Sequence, residues 1–293
     1  MKLSPYTSID WERALELIKS PNIRFNTALG KITPPNDNVF PPNGLIQLDD
    51  AVPKDLCNQV INDYERFEKF RLDQKCLVMN DHGRNYRLVN FHLESEALLK
   101  IGLLDKFHKP VSDFFGMQSS VYTSLTFKHG SQQDPHIDTP YFWTRPFNLF
   151  AGVWVALEDI SEKAGPLFYY PGSHKYFDSE EELIKLHGEC GGNPDLMFRK
   201  ILEKVSSDGI EKQALIIKKG DAVIWHPGIL HGGNKAINQA LTRYSSVFHF
   251  APVGVNVRMN DAFPKNFINY PKYGIKKKYG NYFCRGSLPT IMV

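Results

Sequence analysis

Cysteine is scarce. The 293-residue chain has four, Cys57, Cys76, Cys190 and Cys284, with no Cys-x-x-Cys pair. That scatter supplies neither a zinc ribbon nor a disulfide framework, and it fits a reducing, cytoplasmic setting. Excess charge of one sign is lacking too. The formal net charge is +3, from 35 Lys and Arg against 32 Asp and Glu, which gives no case for nucleic acid as a partner. No apolar run approaches the ~20 residues that span a membrane. Met1-Lys2-Leu3-Ser4-Pro5 has no apolar run behind it, so no signal peptide is expected. There is no internal repeat and no low-complexity segment. A chain of this length can still bury a large core, and all-β barrels of such size often stand as one domain.

Residues 1–120 read as mostly helical support. Ser8 is placed to cap a helix over 10–20, with Trp11, Ala14, Leu15 and Ile18 on one face and Pro21 at its end. Residues 21–47, rich in Pro and Asn, read as an extended surface segment. A second helix begins near Pro53, with Leu56, Val60, Tyr64 and Phe67 as its apolar stripe. Residues 80–90 are polar and contain Arg84, Tyr86 and Arg87. A loop over a pocket mouth and an ordinary solvated loop both fit them. Residues 94–115 read as helical in two pieces, from Leu98, Leu99, Leu103, Phe107, Val111 and Phe114.

From residue 121 the period changes to two. Alternating or β-rich runs at 121–127, 149–157, 167–170, 214–217, 222–225 and 244–250 are separated by Gly and Pro. They predict a closed or sandwiched antiparallel sheet over 121–252. Residues 178–212 interrupt it as an insertion, helical around 180–186 and 196–205, and 253–293 form a C-terminal extension. The basic run Lys276-Lys277-Lys278 reads as solvated surface.

Chemistry concentrates in Asp134-Pro135-His136-Ile137-Asp138-Thr139. Residues two apart in a strand share a face, so His136 and Asp138 present an imidazole and a carboxylate side by side. Two polar residues near a strand end would explain such a pair on its own. One further histidine on a facing strand completes a two-His, one-carboxylate facial triad, the Fe(II) site of non-haem oxygenases. His231, in Gly228-Ile229-Leu230-His231-Gly232-Gly233, is the candidate. His129 is the nearest rival ligand, and a turn or surface histidine accounts for it.

Several further stretches fall in order around these two. They are Trp154-Val155-Ala156-Leu157-Glu158-Asp159, Ala164-Gly165-Pro166-Leu167, Pro171-Gly172-Ser173-His174-Lys175, the run from Lys219 through His231 to Asn234, and Arg243-Tyr244-Ser245-Ser246-Val247-Phe248. Together they resemble the phytanoyl-CoA dioxygenase family of Fe(II)/2-oxoglutarate oxygenases, well over 121–252 and loosely before it. The resemblance implies a mainly β protein with flanking helices and a double-stranded β-helix core (jelly roll, cupin-like). It implies Fe(II) on His136, Asp138 and His231, with 2-oxoglutarate and dioxygen as co-substrates. An arginine about twelve residues beyond the second histidine, here Arg243, holds the far carboxylate of 2-oxoglutarate in the family, and its guanidinium fork suits that task. Ser245, two residues on, is its companion donor, and Trp154 stands where the family has a tryptophan near the co-substrate.

The likeness also implies the outcome. Related halogenases replace the triad carboxylate with a small residue, so Asp138 favours hydroxylation or another oxidation. Desaturation or ring formation would use the same machinery, and a cupin-like protein that binds metal or ligand without turnover is the rival from another class. The expected partner is a small metabolite or natural-product intermediate, with Arg84, Arg87 and Arg145 as hints of an anionic group. Tyr141, Phe142, Trp143 and Arg145 read as a substrate-facing loop or as packed rim aromatics. His174 is a candidate for the substrate side, and His249, on the parity of Arg243, reads as a hydrogen-bonded structural histidine facing inward. Ile137 and Gly233 depart from the acyl-CoA enzyme, which has polar residues there. The sequence fixes neither the substrate nor the oligomeric state.

Overall fold

The computed structural model describes residues 35–71, 87–139, 141–144, 147–177, 179–253, 258–259, 274–278, 281–285 and 290–291. The helix expected over 10–20, together with Arg84, Tyr86 and Arg145, lies outside them.

Among the described residues the first strand is an edge strand, β1 (Leu45–Leu48), followed by helix α1 (Lys54–Arg71) just after Pro53. β1 overlaps the end of the 21–47 stretch read as extended surface, and it is a strand because Leu45–Leu48 pair with Ala222–Trp225. Strand β2 (Arg87–Val89) follows, then helices α2 (Glu96–Gly102) and α3 (Asp105–Phe115). The Ser95 hydroxyl caps α2 by accepting the Leu98 N–H at 3.2 Å. Gly116 ends α3 in the left-handed conformation, φ 61°.

Next come β3 (Ser119–Phe127), β4 (Phe142–Trp143), β5 (Ala151–Ala156) and β6 (Leu167–Tyr169). The segment 178–212 carries α4 (Glu180–Glu189) and α5 (Pro194–Ser207). The remaining strands are β7 (Gln213–Ala214), β8 (Ala222–Trp225), β9 (His231–Gly233), β10 (Ser245–Pro252), β11 (Arg258–Met259), β12 (Gly274–Lys278), β13 (Asn281–Arg285) and β14 (Thr290–Ile291).

The large sheet runs β1-β8-β5-β10-β3, antiparallel at every step. The outer edge of β3 is shared, by β2 along Leu125–Phe127 and by parallel β13 at Ser120 and Val121. A small sheet, β7-β6-β9, faces the large one, and an isolated bridge adds His136 beside His231.

Alternation along the large sheet makes two cores. Val153, Val155, Ile224, Phe248 and Phe250 pack with Val60, Leu98, Phe107 and Phe114 of the helices. The residues between them, Trp154, Val223, Trp225 and Val247, face the small sheet with Leu167 and Tyr169. Each such side chain contributes about 1.5–3 kcal/mol by leaving water. A one-residue slip of β5 would turn Trp154 from the interior to the helices, so the register is strongly held. A third cluster seats α4 and α5, through Leu183, Met197, Phe198 and Ile201, against Ile137, Phe168 and Leu230. Two facing antiparallel sheets with helices on the outer face of the larger one make a double-stranded β-helix. No helix among the described residues is long and apolar enough to cross a membrane.

Candidate metal centre

Backbone pairing sets the two histidines side by side. His136 N–H donates to His231 O, and His231 N–H returns the bond to His136 O, both at 2.9 Å. Each ring is then fixed by its own chain two residues earlier. His136 Nδ1 bonds Asp134 O at 2.8 Å, and His231 Nδ1 bonds Ile229 O at 3.0 Å. A carbonyl only accepts, so both Nδ1 atoms carry the proton and both Nε2 lone pairs are left to point into the site. Asp138 begins a tight turn, its carbonyl accepting from the N–H groups of Tyr141 and Phe142 at 2.8 and 3.0 Å. Its Oδ2 accepts from Trp225 Nε1 at 2.9 Å. Its Oδ1 lies 3.8 Å from His231 Nε2.

His136, Asp138 and His231 are all buried, and their ligand atoms lie within 4.8 Å of one another. The 3.8 Å gap is one that a single ion can span, since metal–nitrogen and metal–oxygen bonds run about 2 Å. The donor set, two imidazole nitrogens and one carboxylate oxygen on one side of an open cavity, suits a divalent iron with free positions. Burial, then the neighbouring His231, pushes the His136 imidazole down to about 3, so it stays neutral and able to ligate. Burial alone would raise the Asp138 carboxyl. His231, His249, His136 and the Trp225 N–H outweigh it and hold the group ionised, below the usual range.

These residues line a cavity of about 220 Å³ between the two sheets. Arg243 reaches it from just before β10 and is 3 % exposed. Its guanidinium sits beside the rings of Phe127 and Trp154, at 5.6 and 5.8 Å. Burial pulls its pKa down to about 10, which still leaves it charged at neutral pH. Arg243 Nε and Nη1 are buried without a hydrogen-bond partner among the described residues, and so is Ser245 Oγ, on the same strand face. Such groups are costly unless something fills them. Trp154 also lines the cavity.

Other expectations fare differently. His129 is outside the cluster and bonds Leu241 O at 3.2 Å. His174 does not line the cavity. Its ring centroid lies 5.0 Å from that of His226. His249 does face inward, but its Nδ1 is buried with no hydrogen-bond partner among the described residues, and it packs on Phe142 at 4.2 Å between ring centroids. Tyr141 and Phe142 line the cavity, so part of the loop after Asp138 faces it. The departures from the acyl-CoA pattern have a steric reason at Gly233, where a Cβ would meet the Gln132 backbone nitrogen at 2.8 Å. Ile137 points away from the site into the cluster under α5.

Trp225 escaped the sequence reading. Its parity on β8 places it inside, but only the fold brings it to Asp138, 87 residues away. Gly152 makes room for it, since a Cβ there would collide with the Trp225 indole.

The chain and its fold are similar to known proteins. The phytanoyl-CoA dioxygenase family model matches residues 40–243. The peroxisomal phytanoyl-CoA dioxygenase of Bos taurus is 27 % identical over 195 residues, 64 % of this chain and 56 % of that protein, so the chain spans little more than half of this relative. Among solved structures, iron-bound EctD from S. alaskensis superposes with a TM-score of 0.60 at 17 % identity, over 77 % of this chain and 78 % of that one. SnoK, a non-haem alpha-ketoglutarate-dependent carbocyclase from nogalamycin biosynthesis, gives 0.57 at 14 % identity, over 74 % and 83 %. At such identities the two structures share the fold, and the match along most of the sequence does the rest: this chain belongs to the phytanoyl-CoA dioxygenase family.

Proposed function

We propose that the protein is an Fe(II)/2-oxoglutarate-dependent dioxygenase that hydroxylates an unactivated C–H bond of a small metabolite or natural-product intermediate. One observation carries the reading. A buried arginine with two partnerless nitrogens among the described residues lines the same cavity as a two-His, one-carboxylate cluster, and the buried Ser245 hydroxyl two residues on is partnerless too. A protein that only binds metal has no use for that anchor, whereas a dicarboxylate co-substrate needs it.

In this reading His136 Nε2, His231 Nε2 and Asp138 Oδ1 hold the iron. Arg243 and Ser245 receive the far carboxylate of 2-oxoglutarate, as a two-pronged cation and a hydroxyl donor. Bound iron, with 2-oxoglutarate and dioxygen, supplies the oxidising power for the C–H bond, 2-oxoglutarate leaving as succinate and carbon dioxide. The chain supplies the rest. Trp225 holds the Asp138 carboxylate in place, Phe127 and Trp154 keep water from the Arg243 end, and Tyr141 and Phe142 wall the side open to substrate. Asp138 completes the triad and leaves no ligand position for a halide in its stead, which supports hydroxylation. The described cysteines Cys57 and Cys190 are free and buried, which supports a reducing, cytoplasmic setting.

The test is calorimetry of 2-oxoglutarate binding to the anaerobic Fe(II) protein. Arg243→Ala loses a charge-assisted pair and should bind 2-oxoglutarate about a hundredfold more weakly while Fe(II) affinity holds. Equal 2-oxoglutarate affinity in the variant would overturn the assignment.

A further inference from the structure

The arginine that anchors the cavity stands on a loop. Arg243 falls in the segment 234–244, which has neither helix nor strand, and β10 begins only at Ser245. A loop residue keeps its aim where a rigid scaffold ties it down. The guanidinium itself is not tied. Nε and Nη1 have no hydrogen-bond partner among the described residues, and the rings of Phe127 and Trp154 flank it. Its aim therefore depends on the backbone to either side, and there one side chain makes two bonds. The Glu158 carboxylate accepts the Thr242 hydroxyl on Oε2 at 2.9 Å and the Tyr244 N–H on Oε1 at 2.5 Å. The strands dictate this placement. β5 pairs with β10 at Ala156 and Ser245, and one step further Leu157 N–H donates to Tyr244 O at 3.0 Å. Continuing that register sets Glu158 across from Arg243. Opposite charges facing each other across strands ordinarily pair. Here both carboxylate oxygens are taken by Thr242 and Tyr244, and Arg243 keeps its free nitrogens. Glu158 acts on Arg243 through its charge alone, which helps to keep the guanidinium protonated against burial.

Resting on the assignment of Arg243 to the far carboxylate of 2-oxoglutarate, we propose that Glu158 is a positioning residue for that anchor. By clamping Thr242 and Tyr244 it aims the guanidinium into the cavity, and the same two bonds withhold it from pairing with Arg243 itself. Both effects favour the co-substrate. A Glu158 released from the clamp would form an ion pair with Arg243, and 2-oxoglutarate would have to displace it. The rest of the surroundings are held from α1. The Tyr244 phenol donates to Glu65 at 3.1 Å. Arg243 N–H donates to Lys128 O at 2.8 Å, and the Lys128 ammonium pairs with Glu68 at 2.7 Å. Of these holds, the one from Glu158 brackets Arg243 on both sides.

The experiment uses the anaerobic Fe(II) protein and two probes, 2-oxoglutarate and 2-oxobutyrate, which has the same 2-oxo acid end but no far carboxylate. Calorimetry reads the binding of each, equilibrium dialysis reads Fe(II) affinity, and urea unfolding shows that each variant is folded. Wild type should prefer 2-oxoglutarate about a hundredfold, as a charge-assisted pair allows. Glu158→Ala should cut that preference about tenfold while 2-oxobutyrate and Fe(II) affinities stay within twofold. Glu158→Gln keeps an acceptor for the Tyr244 N–H and a donor for the Thr242 oxygen, so its preference should stay within about threefold of wild type although the charge is gone. Thr242→Val removes one of the two bonds, leaves Glu158 in place and should fall between. An unchanged preference in folded Glu158→Ala overturns the proposal. So does equal weakening of both probes, which a merely structural role would give. A Glu158→Gln as impaired as Glu158→Ala would assign the effect to charge and overturn it too. If Glu158→Ala does not fold, Thr242→Val decides, and a wild-type preference there overturns the proposal. A wild type with no preference for 2-oxoglutarate removes the Arg243 assignment itself, a failure visible before any variant is read.

Discussion

Replacing Trp225 by Phe isolates one hydrogen bond at the metal centre. The indole N–H donates to Asp138 Oδ2 at 2.9 Å, and Asp138 is 5 % exposed. Phenylalanine keeps a ring against His231, whose ring centroid lies 4.9 Å from that of Trp225, but it cannot donate. A hydrogen bond to a buried charged group contributes about 1.5–3 kcal/mol. At ~1.4 kcal/mol per decade, that is roughly ten- to a hundredfold in an equilibrium constant. Outer-sphere partners of metal ligands cost a similar ~10–100-fold when removed, so two independent routes reach one figure. The assay is Fe(II) binding by anaerobic equilibrium dialysis, with urea unfolding alongside to show that the variant is folded. Iron affinity should fall about tenfold or more. A folded Trp225→Phe that binds Fe(II) within twofold of wild type would refute the idea that this N–H holds the carboxylate for the metal.

Gly152→Ala should act on the same residue from behind. The new methyl would press on the indole ring, and overpacking of this kind costs about 1–3 kcal/mol. Urea midpoint and Fe(II) affinity should drop together; a lower midpoint with unchanged Fe(II) affinity would mean that Trp225 keeps its place. His92 provides a pH signature away from the site. Burial pushes its imidazole from 6.5 down to about 4. The unfolded chain therefore takes the proton first, and the stability this group provides is full above pH 6.5 and lost as pH falls toward 4. At pH 5 the loss is roughly 2 kcal/mol. The gap in unfolding free energy between wild type and His92→Gln should shrink by about that much from pH 7 to pH 5, and parallel curves would contradict it.

Much of the fold was legible because it is written locally. The apolar steps from Leu98 to Phe114 specify helices, and the observed break falls at Leu103 and Leu104, between α2 and α3. The run Ala222–Trp225 is a strand with the bounds its pattern suggests. The triad was legible because the spacing of His136 and Asp138 is itself chemical. β1 and β2 were not, since Leu45–Leu48 and Arg87–Val89 are short, polar-flanked and ordered by partners far along the chain. The same holds inside the site. Parity turns His249 inward, but no local pattern says that its Nδ1 finds no partner among the described residues. Nor does any pattern announce that Trp225 reaches Asp138, or that Arg87 and Gln133 meet. Those contacts follow from sheet pairing over more than 40 residues of chain, where sequence spacing carries no geometric information.

The measurement closest to the central claim is an anaerobic visible spectrum. Metal-free protein receives Fe(II), then 2-oxoglutarate, beside Asp138→Ala treated in the same way. The account predicts a weak charge-transfer band that needs both additions and is missing in the variant. Fe(II) bound by the wild type with no band on adding 2-oxoglutarate would contradict it, and would leave a metal-binding jelly roll whose Arg243 serves some other anion.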